Sequence, residues 1–413
     1  MSVRTTVVAV TGMIVASQAF AQSSVTLFGV VDAALNYVSN AQTSRGRSGP
    51  VGHSQFAMQD GGVGGLQGSR WGLFGSENLG GGLSAIFKIE NGFSLNNGTL
   101  SQGGAEFGRQ AWVGLKSASF GTVTLGRQYD SIFSFVEPFD VAAQWAGYLG
   151  GHAGDVDNLI NTRRLNNSIK YESPVYHGLT FGGVYSLGGV PGSIGRNQVY
   201  SFGATYSTGS LSVGAAYLNA RNPNFSFYGT NPSAGTSLTS NNFGSPGSTT
   251  SAESNPIAAG YASASTEQII AVGGNYFIGG FTIGATYSNV QFKGLGNTGA
   301  SGPNPLGYSG TATFNDAEAS LRYDFTPALL AGVAYNYTHN SGAAGFTGAT
   351  YHQVTIGAVY SLSKRTALSA VVTYQHASGI DSLDQPAVAY VSGQSPSANN
   401  HQVVTSLSLR HAF

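Results

Sequence analysis

The chain has 413 residues, with 18 basic against 18 acidic side chains and a charged content of only 9%, where an ordinary soluble domain carries roughly a quarter. That balance leaves no basic surface to displace counterions from nucleic-acid phosphates, and the lack of cysteine excludes disulfide scaffolds, thiol nucleophiles and thiolate metal sites. With 60 Gly, 21 Tyr, 23 Phe and 41% hydrophobic residues, the composition opposes disorder and favours long strands in a non-aqueous setting.

Met1 to Ala21 reads as a secretory signal. Arg4 precedes an apolar stretch from Val7 to Val15, and Ala19-Phe20-Ala21 supplies the small-x-small cleavage pattern. Residues 22–413 form the expected mature domain, and they contain no apolar run long enough for a transmembrane helix. An exported chain of this kind enters a membrane only as a closed barrel.

About sixteen segments of barrel-strand length follow, with side chains alternating between two faces. They begin near residues 24, 69, 83, 107, 120, 166, 178, 199, 210, 267, 280, 315, 329, 351, 366 and 401. In one of them Leu83, Ala85, Phe87 and Ile89 oppose Ser84, Lys88 and Glu90; in another Ala317, Ala319 and Leu321 oppose Asp316, Glu318 and Arg322. Short connections (207–210, 278–280, 324–328, 361–366) alternate with long ones (39–68, 129–165, 219–266, 376–400) rich in Gly, Ser, Asn and Pro. Up-and-down barrels collect their long loops at one end in this way. The expectation is an all-β, 16-stranded antiparallel transmembrane barrel, with short periplasmic turns and long extracellular loops.

The two faces indicate what the barrel encloses. Tyr171, Tyr185, Tyr206, Tyr217, Tyr276, Tyr287, Tyr323, Tyr360 and Tyr374 sit toward segment ends, where a ring buries its body in lipid and its hydroxyl reaches headgroups. The opposite face carries Arg70, Lys88, Glu90, Lys170, Glu172, Asp316, Glu318, Arg322 and Arg410. Such charges are costly toward lipid or in a dry core, and tolerable in water. Around sixteen strands also enclose a lumen too wide for side chains to fill. An aqueous channel is the economical reading.

Several stretches resemble the general diffusion porins of Gram-negative outer membranes, especially the β-proteobacterial type. They are Gln22 to Asp32, Ser69-Arg70-Trp71-Gly72 through Leu83, Arg109 to Leu115, Phe120 to Gln128, Asn166 to Tyr171 with Ser173-Pro174, and Leu407 to Phe413. The resemblance implies a homotrimer whose third long loop, 129–165, folds inward and narrows each pore. It implies a basic constriction wall at Arg70, Arg127 and Arg164, facing loop acids Glu137, Asp140, Asp155 and Asp157. Lys88, Glu90, Lys170 and Arg322 then line the lumen, and Phe413 is the assembly signal. The implied partners are outer-membrane lipid and lipopolysaccharide, the outer-membrane assembly machinery, and small hydrophilic solutes and ions; no cofactor is implied. In this loop Val136-Glu137-Pro138-Phe139-Asp140 stands where the family often has Pro-Glu-Phe-Gly. Strand alternation puts Arg127 with Val123 and Leu125, so it turns inward only through a strand end or a bulge.

The expected function is passive diffusion of ions and small hydrophilic solutes, with selectivity set by pore width and a transverse field. A substrate-specific channel on the same barrel is the alternative; it wants an aromatic slide or a ladder of basic residues. A barrel enzyme is disfavoured: the eight histidines are scattered without metal spacing, and no Gly-x-Ser-x-Gly elbow occurs. An adhesin role for the loop Asn219 to Thr266 is weaker than its reading as a surface insertion.

Overall fold

The computed structural model describes residues 23–229 and 241–413; the expected signal segment 1–21 lies outside them. Seventeen strands form one antiparallel sheet. In order they are β1 (Ser24–Gly46), β2 (Gly49–Asp60), β3 (Arg70–Gly80), β4 (Leu83–Gly92), β5 (Gln110–Ser117), β6 (Gly121–Gln128), β7 (Leu165–Glu172), β8 (Leu179–Ser186) and β9 (Val199–Thr208). They continue as β10 (Leu211–Arg221), β11 (Thr266–Ile278), β12 (Phe281–Leu295), β13 (Gly310–Asp324), β14 (Leu329–Asn340), β15 (Ala349–Ser361), β16 (Thr366–Gly379) and β17 (His401–Ala412). No described helix is long and apolar enough to cross a membrane.

Sixteen of these strands are the staves of a closed barrel, in the order expected from the alternation. Residues 30–38 of β1 pair with 412–404 of β17, which closes the sheet. Gly29 and Phe413 extend the seam by exchanging backbone hydrogen bonds of 3.0 and 3.1 Å. Closure matters because no backbone group is left without a partner at an edge facing lipid.

The seventeenth strand departs from the sequence reading, which made 39–68 a long connection. β1 instead continues to Gly46, and β2 folds back along its upper half, pairing Gly46 with Gly49 and Ala33 with Asp60. β3 takes over the lower half, pairing Val30 with Arg70 and Ser24 with Ser76. The Gly/Ser/Gln composition of 39–60 lacks an apolar period, so the pairing was not visible in it.

The face assignment is clear in β12, where Ile283, Ala285 and Tyr287 are exposed while Thr282, Thr286, Ser288, Val290 and Phe292 are buried inside. Tyr206, Tyr276, Tyr287, Tyr360 and Tyr374 are among the exposed outer residues. At the short-turn end, Gly80, Gly81 and Gly82 all have positive φ, so a tight connection there demands residues without Cβ.

The upper lumen holds an apolar core that the sequence reading did not anticipate. Inward-facing Phe292, Phe314 and Tyr351 pack with Phe227, Phe243, Ile257 and Tyr261 from the 222–265 loop and Tyr308 from the next one. Tyr228 stacks on Phe243 at 3.8 Å, and Tyr261 meets Phe292, Tyr308 and Phe314 at 5.4–6.0 Å. The described part of this loop is therefore packed into the barrel mouth over β10–β16, not splayed over the surface.

Candidate functional site

The loop between β6 and β7 crosses the lumen. It opens with the short helix α1 (Ser131–Phe135), capped by Asp130, whose carboxylate accepts from the backbone N–H groups of Ile132 and Phe133. Asn158 donates to the other Asp130 oxygen at 2.7 Å, tying the start of the loop to its return. Burial pushes the Asp130 carboxyl up, against the pull of these bonds.

From α1 the chain runs along the inner wall, and glycines mark its path. A Cβ at Gly203 would lie 2.7 Å from the Phe135 ring; at Gly214, 2.7 Å from Phe139; at Gly332 and Gly357, 2.6 and 3.0 Å from the Trp145 indole. The wall is thus hollowed where the three aromatic side chains press on it. Farther round, Asn336 donates to the Gly150 carbonyl, Gln353 to those of Leu149 and Gly151, and Thr373 to that of Leu149.

The loop seated this way leaves a gap on the β1–β6 side. Leu66, Gln67, Gly68, Arg70 and Arg109 face Phe133, Glu137, Ala142, Ala143, Gly147 and Tyr148 across about 200 Å³. A chamber of about 490 Å³ toward the short-turn end is lined by Lys88, Trp112, Lys170 and Glu172, and shares Phe133 with the gap. A second chamber, toward the loops, includes Asp60 and shares Gly68, Arg109 and Tyr148.

Of the three expected arginines, Arg70 borders the gap. It donates to the Gly68 carbonyl at 3.0 Å and lies 3.6 Å from Glu90. Arg164 is buried and does not border the gap itself, donating to the Tyr129 hydroxyl at 3.3 Å and to Asn161, which does. Arg127 does not border the gap either, although it lies close enough to Arg164 and Tyr129 to feel their charge. The β6–β7 register does shift between Gly126 and Gln128, yet the extra residue is on β7, so Arg127 keeps the parity of Val123 and Leu125. It donates to the Gly108 carbonyl and to Asn166.

Arg109 was not among the expected site residues. Its parity matches the outward Ala111 and Val113, but β5 begins only at Gln110, so residue 109 is free to turn inward. There it meets Glu90 at 2.5 Å and the Tyr129 hydroxyl at 3.0 Å. Glu90 is also 2.9 Å from Lys88, and Gln110 donates to it. Lys170 donates to Ser134 at 2.7 Å, and Arg322 pairs with Asp324 at the short-turn rim.

The loop acids separate into two kinds. Glu137 is half-buried at the gap; burial, with Asp140 nearby, lifts its carboxyl to about 8, against the attraction of Arg70. Asp140, Asp155 and Asp157 are enclosed within the loop. Asp155 accepts from the N–H groups of Ile160 and Thr162, and burial raises it to about 6. Asp157 binds His152 Nδ1 at 2.7 Å and accepts from Ser288 on β12. Their mutual attraction holds the Asp157 carboxyl low and the His152 imidazole high. His152 Nε2 faces Asp140 at 3.7 Å and Glu318 at 3.9 Å. These acids fasten the loop rather than line the gap.

A family model described as Gram-negative porin matches residues 5–380. An outer membrane porin protein of Bordetella pertussis is 34% identical over 213 residues, covering 49% of this chain and 53% of that one. Outer membrane porin protein 32 of Delftia acidovorans is 37% identical over 213 residues, covering 47% and 54%. The chain thus spans about half the length of the curated relatives it matches. An anion-selective porin from Comamonas acidovorans superposes with a TM-score of 0.66 at 21% identity, over 95% of this chain and 100% of that one. OmpT of Vibrio cholerae, in its trimer form, gives 0.62 at 14% over 95% and 99%; at such identities the likeness shows the fold. The extent of the family match and the closed barrel together place the chain in the Gram-negative porin family, as a multi-pass β-barrel protein of the outer membrane.

Proposed function

We propose that the protein is a general diffusion channel, passing ions and small hydrophilic solutes through a water-filled lumen without an energy source. The observation that carries the reading is the gap between Arg70 and Arg109 on the wall and Glu137 and Tyr148 on the loop, with a chamber on either side. Charged groups held across a narrow opening orient water and favour polar solutes over apolar ones.

The balance of charge at this gap favours anions at neutral pH. Arg70 and Arg109 face it, Lys88 and Lys170 outnumber Glu172 in the chamber below, and Glu90 is enclosed by three of these cations. Burial favours the protonated, uncharged form of Glu137, and the remaining loop acids are turned away from the opening. The anion-selective Comamonas porin of the same fold supports this direction. A homotrimer is part of the proposal, supported by the trimer form of OmpT.

Planar-bilayer recording under a KCl gradient tests the reading. Stepwise conductance in groups of three, with a reversal potential biased to chloride, is the expected result. Folded protein that inserts without conductance would overturn it.

A further inference from the structure

We propose that Asp140, His152 and Glu318 form a binding site for a first-row divalent cation of the zinc or manganese class, which clamps the constriction loop to the barrel wall. One donor atom from each lies within 4.8 Å of the other two, and all three residues are buried. With Nε2 3.7 Å from Asp140 Oδ2 and 3.9 Å from Glu318 Oε2, a point equidistant from the three lies about 2.5 Å from each, so tightening by a few tenths of an ångström gives ordinary metal–ligand bonds. Imidazole with carboxylates suits zinc and manganese better than calcium or magnesium.

Each donor has its other polar atom occupied by a bond that aims the free one inward. Asp140 accepts from the Ala142 N–H through Oδ1 at 2.7 Å, and Glu318 accepts from the Val141 N–H through Oε1 at 3.1 Å. The remaining oxygens, Asp140 Oδ2 and Glu318 Oε2, are fully buried and accept no hydrogen bond from a described residue. His152 gives Nδ1 to Asp157 at 2.7 Å and presents Nε2 to both. A histidine held by a carboxylate behind and a metal in front is the usual second-shell arrangement of metal sites. The Thr286 hydroxyl lies 3.4 Å from Nε2, a long contact that a bound ion would replace.

Carboxyl groups also outnumber the basic group here. Asp140, Asp157, Asp316 and Glu318 surround a single imidazole, with Ser288 and Thr338 donating to the two aspartates beneath. Arg163 donates to the Asp155 carbonyl and feels the charge of Asp157, but makes no ion pair with the group among the described residues. A bound divalent ion would replace the proton on Nε2 and join residues 140 and 152 of the loop to β13. This role is separate from conduction and does not depend on the selectivity of the gap.

The test uses refolded protein stripped with chelator and dialysed at buffered free zinc, with metal content read by elemental analysis. Wild type is expected to hold one more zinc per chain than Glu318→Gln, which keeps the shape and the bond to Val141. Affinity at that site should fall at least about 100-fold in the variant. Equal zinc in both at every free concentration, with both folded by circular dichroism, would overturn the site. Should Glu318→Gln not fold, zinc-soaked wild-type crystals decide: an anomalous peak between residues 140, 152 and 318 supports the site, and its absence there overturns it.

Discussion

Trp145 occupies the space that a side chain at position 332 would fill: a Cβ built on Gly332 would lie 2.6 Å from Cε2 of the indole. Gly357, on the next strand, makes the other half of the seat. The constriction loop therefore rests in a groove cut by missing side chains, and the width of the opening depends on that fit.

Gly332→Ala should push Trp145 off the wall and into the lumen. Overpacking of this kind costs about 1–3 kcal/mol, and single-channel conductance should fall. Trp145→Ala removes the anchor and should leave the loop loosely held, read as increased open-channel noise. Unchanged conductance and noise in both would show that the seat does not set the aperture.

Removing positive charge should matter only where it borders the gap. Arg70→Ser and Arg109→Ser should each lower the chloride-to-potassium permeability ratio about twofold or more. Arg127→Ser, whose side chain is engaged with Asn166 and Gly108, should leave the ratio unchanged. Reversal potentials in a KCl gradient distinguish the three.

Selectivity should also respond to pH through Glu137. Its carboxyl titrates at about 8, so it is neutral at pH 6 and anionic at pH 9. Chloride preference should decline across that interval as the negative charge appears opposite Arg70. Glu137→Gln should flatten the curve; a curve of the same shape in the variant would assign the titration to another group.

The loop cover at the mouth should weaken as pH rises. Burial lifts Glu253 to about 7 despite its 2.9 Å ion pair with Arg45, and lifts Asp381 to about 8 with Glu253 adding repulsion. Both folded-state values lie above the ordinary ones, so the packed cover binds protons more tightly than the opened one. The stabilisation is complete below about pH 4 and is lost as pH climbs through 7 to 8. Protection factors in residues 241–265, taken from exchange rates corrected for the intrinsic base-catalysed rate at each pH, should be lower at pH 9 than at pH 5.5, with a smaller drop in Glu253→Gln.

Much of this architecture was legible in the residues. Period-two alternation in β4 and β13, and the short-long rhythm of connections, determined the strand order and the lumen face, because a strand facing lipid outside and water inside must alternate. The same rule fails at one strand end, where Arg109 turns inward one residue before β5; at Arg127 it was the resemblance, not the alternation, that pointed inward, and the side chain keeps its outward parity because the bulge falls on β7. The apolar inward residues Phe292 and Phe314 went unremarked in the sequence; the described part of the 222–265 loop packs on them. What only the tertiary structure decided is the set of meetings across long separations: Trp145 with Gly332 and Gly357, and His152 with Asp140 and Glu318. A sequence records which residues can lie on a strand face; it does not record which part of a folded-in loop will come to rest against them.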